Sequence, residues 1–289
     1  MKTLSNGQCA QLACILEATS RKPGNVHRFA DFDDATYLDF LLSAAAIAGP
    51  MDGTDGVGAT VLKSVEATRR LVNTNTNLGM ILLLAPLTVA RRDADDAGAL
   101  RRRLRRVLAA LTVDDARHVY AAIRLAQPGG LGEAVEQDVS AEPSVTLRDA
   151  MRLAADRDLI ARQYANDFAD VFDVALPALR SAISEGRPTE SAIIHAFLTV
   201  LSRIPDTLIA RKLGVDMAAE VSRRASGVLS GLEPISSFDS WLRSDGHRRN
   251  PGSTADLITA ALFVALGNGI IEVPMQWQTS DGNALAVTD

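Results

Sequence analysis

Aromatic side chains are scarce in this sequence: they make up only 4% of its 289 residues, although 47% of the residues are hydrophobic. The core must therefore be built mainly from alanine, leucine, isoleucine and valine. Small aliphatic side chains let helices approach closely, so helix-on-helix packing is favoured over a core of bulky rings. This hydrophobic content also argues against intrinsic disorder.

Cysteine is almost missing as well. Cys9 and Cys14 lie five positions apart near the start of the chain. This spacing fits neither a zinc-binding pair nor a CxxC redox motif. We predict that both are buried free thiols.

Excess positive charge and long hydrophobic runs are also lacking. A net charge of -5 and a pI near 5.5 disfavour a general nucleic-acid-binding surface, although a local basic pocket remains compatible with them. The most apolar stretch, LGMILLLAPLTVA at 78–90, contains a proline and is shorter than the ~20 residues that cross a bilayer. The first twenty residues lack the continuous apolar segment of a secretory signal. We therefore predict a cytoplasmic protein with neither a membrane nor a nucleic-acid partner.

Runs of β-branched residues between helices, which a Rossmann sheet requires, are missing too. The sequence predicts one all-α domain over residues 1–289, with a short strand after residue 269 as the one exception. A homodimer is left open, because the Ala-rich helices and the segment IIEVPMQW fit an interface and a core equally well. The main predicted helices cover 8–19, 35–48, 59–72, 78–90, 147–176, 189–203 and 215–229, followed by a helix that begins in NPGSTAD.

Polar loops rich in Gly, Pro and Asn precede several of these helices. Asn250 to Asp256 reads NPGSTAD and opens directly into an apolar helix. It is either an ordinary capped helix start or a phosphate site made of free backbone N–H groups. Because similar loops recur at KPGNVH and NTNTNLG, we favour phosphate binding by Gly252, Ser253 and Thr254.

Five polar stretches are spread over nearly the whole chain: LEATSRKPGNVH, NTNLG, GLGEA, PDT followed by RKLG, and NPGSTADL. Their order and spacing resemble those of the triphosphoribosyl-dephospho-CoA synthase family. The resemblance implies an all-helical transferase that moves the triphosphoribosyl group of ATP to the 2′-hydroxyl of dephospho-CoA and releases adenine.

The chain also departs from the family pattern. It reads NTNLG at 75–79 where better-known members read NTHKG, and Arg-Lys-Leu-Gly at 211–214 where they have Arg-Gly-Gly. These differences resemble a divergent branch found in archaea and some bacteria, whose acceptor need not be dephospho-CoA.

The chemistry implied by the resemblance requires a base, contacts to the nucleotide and a divalent cation. Glu133, in the Gly-rich GLGEA segment, is the preferred catalytic base or metal ligand, and Glu17 is a second catalytic candidate. Magnesium is the expected ion, with ATP as substrate, and Asp31, Asp206 and Asp256 are the expected metal ligands. The predicted substrate-binding residues are Lys22, Gly24, Asn25, His27, Arg28, Asn75, Asn77, Arg211, Asn250, Gly252, Ser253 and Thr254.

Two alternatives remain open at this stage. One is a related transferase in the biosynthesis of another cofactor, such as one used in one-carbon metabolism. The other is a helical nucleotide-binding protein without catalysis, suggested by the missing His and Lys of NTHKG.

Overall fold

A computed structural model describes residues 4–92, 94, 96–128 and 137–277. These residues form α-helices joined by loops, with no β-strand among them, which confirms the all-α prediction. The fourteen α-helices of this part of the chain are α1 Asn6–Thr19, α2 Tyr37–Asp52, α3 Val57–Arg69, α4 Leu78–Arg91, α5 Ala97–Ala109, α6 Val113–Ala126, α7 Leu147–Ala154, α8 Leu159–Ala165, α9 Leu176–Ser184, α10 Thr189–Arg203, α11 Thr207–Leu213, α12 Val215–Leu229, α13 Ile235–Arg243 and α14 Gly252–Gly267.

Two apolar helices lie at the centre of the structure. Nearly every side chain of α14 is buried, and α4 is buried along most of its length. A helix that is hydrophobic on all sides must be enclosed by other elements. Accordingly, α14 packs against α1, α4 and α8 to α11. The N-termini of α4 and α14 are thereby brought into the interior of one helical assembly.

The prediction of one continuous helix over 147–176 is wrong. The chain breaks after Ala154, and Asp158 caps α8 by accepting from the N–H groups of Ile160 and Ala161. Asp167 and Phe168 then adopt left-handed backbone angles before a π-helical turn that leads into α9. A carboxylate that bonds the backbone ahead of it starts a new helix, and this local bond outweighs the continuous apolar pattern.

Some features of the C-terminal third also differ from prediction. Helix α13 was not predicted, and residues 270–277 of the expected strand segment form no strand. Cys9 and Cys14 are both free and buried, as predicted. Within the described ranges no single helix could span a membrane, although the bent pair α10 and α11 has sufficient length and apolar character by those criteria alone.

Candidate active site

The predicted polar loops meet at a cavity of about 590 Å³. This volume falls in the range typical of small-molecule sites. The end of α1, the starts of α4 and α14, and α6, α7, α8 and α11 contribute to its walls. Part of the lining is polar and carries most of the motif residues. The apolar part, called here the apolar wall, includes Leu78, Met80, Leu82, Ile123 and Met151.

Nine predicted site residues line this cavity. They are Glu17, Asn25, Asn75, Asn77, Arg211, Asn250, Gly252, Ser253 and Asp256. Seven others lie outside its lining: Lys22, Gly24, His27, Arg28, Asp31, Asp206 and Thr254. Glu133 falls outside the described residues, so its predicted role stays a prediction from the sequence.

Lys22 lies outside the cavity lining and contacts Glu17, which is part of it. Its side chain is fully buried, and its Nζ lies 2.9 Å from Oε1 of Glu17. The same ammonium donates to the backbone carbonyls of Glu17 and Ser20, where α1 ends. A cation at a helix C-terminus satisfies free carbonyls and interacts favourably with the helix dipole. Lys22 therefore holds the Glu17 carboxylate in place instead of reaching a ligand itself.

Burial and Lys22 act in opposite directions on Glu17. Desolvation raises the pKa of the Glu17 carboxyl, while the charge and hydrogen bond of Lys22 lower it. Desolvation is the larger effect, so the pKa stays above its usual value. A carboxylate on the cavity wall with a raised pKa has the proton affinity of a general base.

Gly24 docks the KPGN loop onto α13. Its φ of +75° is left-handed, and an added Cβ would come within 2.8 Å of the Leu242 side chain. Its N–H donates to Asp239 at 2.7 Å, and Arg243 donates to the carbonyl of Asn25 at 2.6 Å. The unpredicted helix α13 thus positions Asn25, whose side chain reaches the cavity wall.

The other predicted site residues of this loop are Arg28, His27 and Asp31. They lie outside the cavity lining and contact the loop and its neighbouring helices. Arg28 and Arg21 both pair with the buried Glu190, which joins the loop to α10. His27 is buried, and desolvation with nearby Arg243 and Lys22 lowers its pKa to about 4, so it is neutral near pH 7. Asp31 accepts a hydrogen bond from the Tyr37 N–H at the start of α2.

The NTNLG motif forms the start of α4. Asn75 Oδ1 accepts from the Leu78 N–H at 3.2 Å, whereas Asn77 Nδ2 lies 3.3 Å from Thr68 Oγ1 and 3.4 Å from the Ser43 carbonyl. Asn77 therefore ties α4 to α2 and α3. Leu78 contributes an apolar surface to the cavity at the motif position where NTHKG has lysine.

Gly79 and Asp256 join the NTNLG and NPGSTAD motifs in space. A Cβ on Gly79 would lie 2.1 Å from Oδ2 of Asp256, so the carboxylate rests directly against the first turn of α4. Asp256 forms no hydrogen bond with any residue that the structure describes. Burial, followed by the charges of Glu17 and Asp206, raises its pKa well above the usual value. An unbonded carboxylate beside other carboxylates is a favourable place for a cation.

Substitution of Gly79 by alanine is expected to be destabilising. The new methyl group must displace the Asp256 carboxylate or move α4, at a cost of about 1–3 kcal/mol. Gly227 in α12 is a matched control, because a Cβ there meets Glu233 only at 3.7 Å or more, which is ordinary van der Waals contact. G227A should stabilise the protein by roughly 0.5–1 kcal/mol through helix propensity. Urea denaturation of both variants measures the two effects, and equal signs would contradict the close packing at Gly79.

Asp206 anchors the start of α14. One of its oxygens accepts from the N–H groups of Leu208 and Ile209, and the other accepts from the N–H and Oγ1 of Thr254. The carboxylate is completely buried and lies outside the cavity lining. Its geometry therefore gives it a capping role at α11 and at α14.

The first turn of α14 has fewer free backbone N–H groups for a phosphate than the NPGSTAD motif predicts. The N–H of Gly252 donates to the Asn250 carbonyl, and that of Thr254 donates to Asp206. Of the three residues predicted to bind phosphate, Ser253 alone keeps a backbone N–H for which no partner occurs in the described ranges.

Arg211 lines the cavity and forms an ion pair with Asp158, another lining residue that was not predicted. Its NH1 lies 2.5 Å from Oδ2 of Asp158, the residue that caps α8. The helix-start pattern Asp-Leu-Ile-Ala could have drawn attention to Asp158 as a cap. Lys212 also lines the cavity, and desolvation lowers its pKa.

The charges around the cavity are unbalanced. Among described residues the lining has five carboxylates, from Glu17, Asp34, Asp138, Asp158 and Asp256, and three cationic side chains, from Arg157, Arg211 and Lys212. In the same part of the chain, no group of three Asp, Glu, His or Cys side chains has an arrangement that could hold a metal ion. With the described residues alone, a metal at this site would need further ligands from the substrate or from water.

Comparison with known proteins gives partial curated matches and a broad structural one. The 2-(5''-triphosphoribosyl)-3'-dephosphocoenzyme-A synthase of Pectobacterium atrosepticum is 32% identical over 97 residues, which is 32% of each chain. The chain thus matches about a third of the length of this curated relative. The crystal structure of a candidate triphosphoribosyl-dephospho-CoA synthase from Archaeoglobus fulgidus superimposes with a TM-score of 0.65 at 26% identity, covering 79% of this chain and 99% of that one.

The family comparison extends over almost the full sequence. Residues 4–273 match the profile of the ATP:dephospho-CoA triphosphoribosyl transferases. This range contains every motif that carried the resemblance, including the divergent NTNLG. The chain therefore belongs to the ATP:dephospho-CoA triphosphoribosyl transferase family.

Proposed function

We propose that the cavity transfers the triphosphoribosyl group of ATP to a hydroxyl of dephospho-CoA or a related nucleotide-like acceptor. In this reaction the acceptor oxygen bonds to ribose C1′ while the bond from C1′ to the adenine nitrogen breaks, and its electron pair leaves with adenine. The observation that carries the proposal is the meeting of Glu17 and Asp256, from opposite ends of the chain, at one cavity that also holds Arg211.

Glu17 is the proposed base for the acceptor proton. It faces the cavity, and its raised pKa gives it the required proton affinity. The buried Lys22 fixes its orientation at 2.9 Å. An anionic or partly anionic carboxylate at this position would also stabilise the positive charge that develops at C1′. Glu133 stays a predicted base from the sequence alone.

Asp256 is the proposed protein ligand for magnesium. Its carboxylate has no donor among described residues and lies near other carboxylates, which fits a hard cation. Magnesium typically takes one or two carboxylates together with phosphate oxygens and water. When bound, the ion would offset part of the negative charge of the triphosphate. Arg211 and Lys212 supply further positive charge from α11.

The apolar wall favours an acceptor other than dephospho-CoA as the second candidate. Leu78 stands where the NTHKG motif has lysine, and Met80, Leu82 and Met151 extend the same uncharged surface. An acceptor with a less charged, more apolar arm would bury that arm against this wall. Such an enzyme would perform the same displacement on a different cofactor precursor.

Release of free adenine is the expected result when the protein is incubated with ATP, Mg²⁺ and dephospho-CoA. Chromatography with mass detection would identify adenine and the acceptor carrying an added triphosphoribosyl group. Adenine formed only with another acceptor would support the second candidate. Conversion of ATP to ADP and phosphate without adenine would contradict both. The D33N variant is a suitable control, because Asp33 is exposed and lies outside the cavity.

A further inference from the structure

A stacked aromatic pair lines the polar side of the cavity. The rings of Phe32 and His247 lie 4.4 Å apart between centroids, with planes inclined by 16°. Phe32 comes from the loop after KPGNVH, and His247 comes from the loop before NPGSTAD. Oδ1 of Asp34 lies 3.5 Å from Nε2 of the His247 ring. None of the other stacked or edge-on ring pairs in the described residues lines this cavity.

The side chain of Asn250 lies in the same wall and lacks a partner. Its Oδ1 is buried and accepts no hydrogen bond, and its Nδ2 donates none to the described residues. The backbone, in contrast, is fixed: the Asn250 N–H donates to the His247 carbonyl, and its own carbonyl accepts from Gly252. A buried amide oxygen without a donor is costly, so a ligand that supplies the donor would gain binding energy.

The geometry points to an adenine-binding subsite formed by Phe32, His247 and Asn250. We propose that the purine ring stacks on the Phe32–His247 pair and that the Asn250 amide pairs with the edge of the base. Asparagine matches adenine well, because its oxygen accepts from the 6-amino group while its nitrogen donates to an adjacent ring nitrogen. Guanine presents a carbonyl oxygen at position 6, which repels the amide oxygen when the Asn250 side chain keeps this orientation.

Two sources could supply this ring. The choice of adenine as the ligand rests on the proposed function, in which both ATP and a dephospho-CoA acceptor contain an adenine ring. Equilibrium binding distinguishes the sources, because each compound can be titrated alone. If the ring belongs to the donor, substitutions in the subsite will weaken MgATP binding and leave dephospho-CoA binding unchanged. If it belongs to the acceptor, the reverse will hold.

Calorimetric titration of variants with MgATP, MgGTP and dephospho-CoA tests the subsite. F32L should weaken binding of one adenine compound by about 10-fold, because stacking is lost, while F32Y should keep most of it. F29L is the matched control: Phe29 is in the same loop, is 71% exposed and lies outside the cavity. N250D should shift preference from adenine towards guanine by about 10-fold or more, since a carboxylate accepts both donors of the guanine edge.

The outcomes separate this subsite from the proposed reaction. Equal binding by F32L and F29L, or an unchanged base preference in N250D, would overturn the subsite even if the wild type releases adenine. If the wild type releases no adenine but the variants show these losses, the subsite stands and the reaction is wrong. Competition by free adenine and hypoxanthine for the wild type gives a second measurement that needs no variant. Hypoxanthine binding as tightly as adenine would also overturn the proposal.

Discussion

Replacing Asp256 by asparagine is expected to lower kcat/KM by about 100-fold or more while making the unliganded protein more stable. The activity loss follows from removing the carboxylate proposed to hold magnesium and the triphosphate, an interaction of about 3 kcal/mol. The gain in stability follows from removing a charge that burial and neighbouring Glu17 disfavour. Functional sites commonly hold such unfavourable charges at the expense of stability.

The stability gain expected for D256N should increase with pH. The pKa of Asp256 is raised in the folded protein, so the folded state holds the proton more tightly than the unfolded chain. The contribution of this group to stability is therefore complete below the unfolded pKa of about 4 and is lost as the pH rises through the folded pKa. D256N should stabilise the protein by roughly 1–2 kcal/mol at pH 8, and the difference should disappear near pH 4.

Thermal denaturation across pH, together with steady-state kinetics at varied Mg²⁺, measures both effects. D33N provides the matched control, because this exposed aspartate should affect neither. A D256N protein with normal kcat/KM would rule out Asp256 as the ligand of magnesium. A loss of stability in D256N at pH 8 would show that favourable contacts of the Asp256 carboxylate outweigh the cost of burying its charge.

Lys22 to methionine is expected to be the most destabilising single change at the site. The side chains of Lys22 and Glu17 are 0% and 3% exposed, and K22M leaves the carboxylate buried without its partner. Breaking such a pair costs about 3–5 kcal/mol. The double variant E17Q/K22M should recover most of this loss, because the stranded charge is removed. Urea denaturation of both single variants and the double variant gives the coupling free energy.

Two further measurements show whether the loss in K22M comes from the stranded charge. Without Lys22 nothing offsets the desolvation that raises the Glu17 pKa, so the stability deficit should be larger at pH 8 than at pH 5. K63M is the matched control, because Lys63 forms an exposed pair with Asp55 at 2.7 Å that is worth less than about 1 kcal/mol. An E17Q/K22M protein as unstable as K22M would assign the loss to packing.

Local patterns in the sequence were sufficient to predict the central helices. The apolar composition around α4 and α14 excludes a solvent-exposed face, so their burial could be read without knowing their neighbours. The sequence indicates the helix break at Asp158 only weakly. Its side chain fits a solvated helix face as well as a cap, and the contact with Arg211 from α11 arises only in the folded chain.

The sequence predicted part of the cavity lining, and it predicted the roles of the individual residues less well. Asn25, Asn75 and Asp256 belong to loops whose composition already indicated a ligand, and they line the cavity. Lys22 and Asp206 lie in the same loops, yet the packing of α1, α11 and α14 turns their charges inward. The sequence alone does not specify whether such a charged side chain faces the cavity or the interior of the helix packing.

Phe32 and His247 were missed because they are far apart in the chain and belong to no shared motif. A signal was nevertheless present: in a sequence with only 4% aromatic residues, Phe29 and Phe32 lie within a strongly polar loop. Aromatic rings in such a setting have no core to join locally. This combination could have marked the loop as a place where a flat ligand binds.

The two sulfur atoms of α1 offer an internal probe of conformational opening. Cys9 is 0% exposed and Cys14 is 3% exposed, and desolvation raises the pKa of both thiols. A thiol-specific reagent can modify them only when α1 separates from its neighbours and the sulfur becomes ionised. Because Glu17 is on the same helix, the rate of labelling reports how often the part of the cavity lining that contains Glu17 opens.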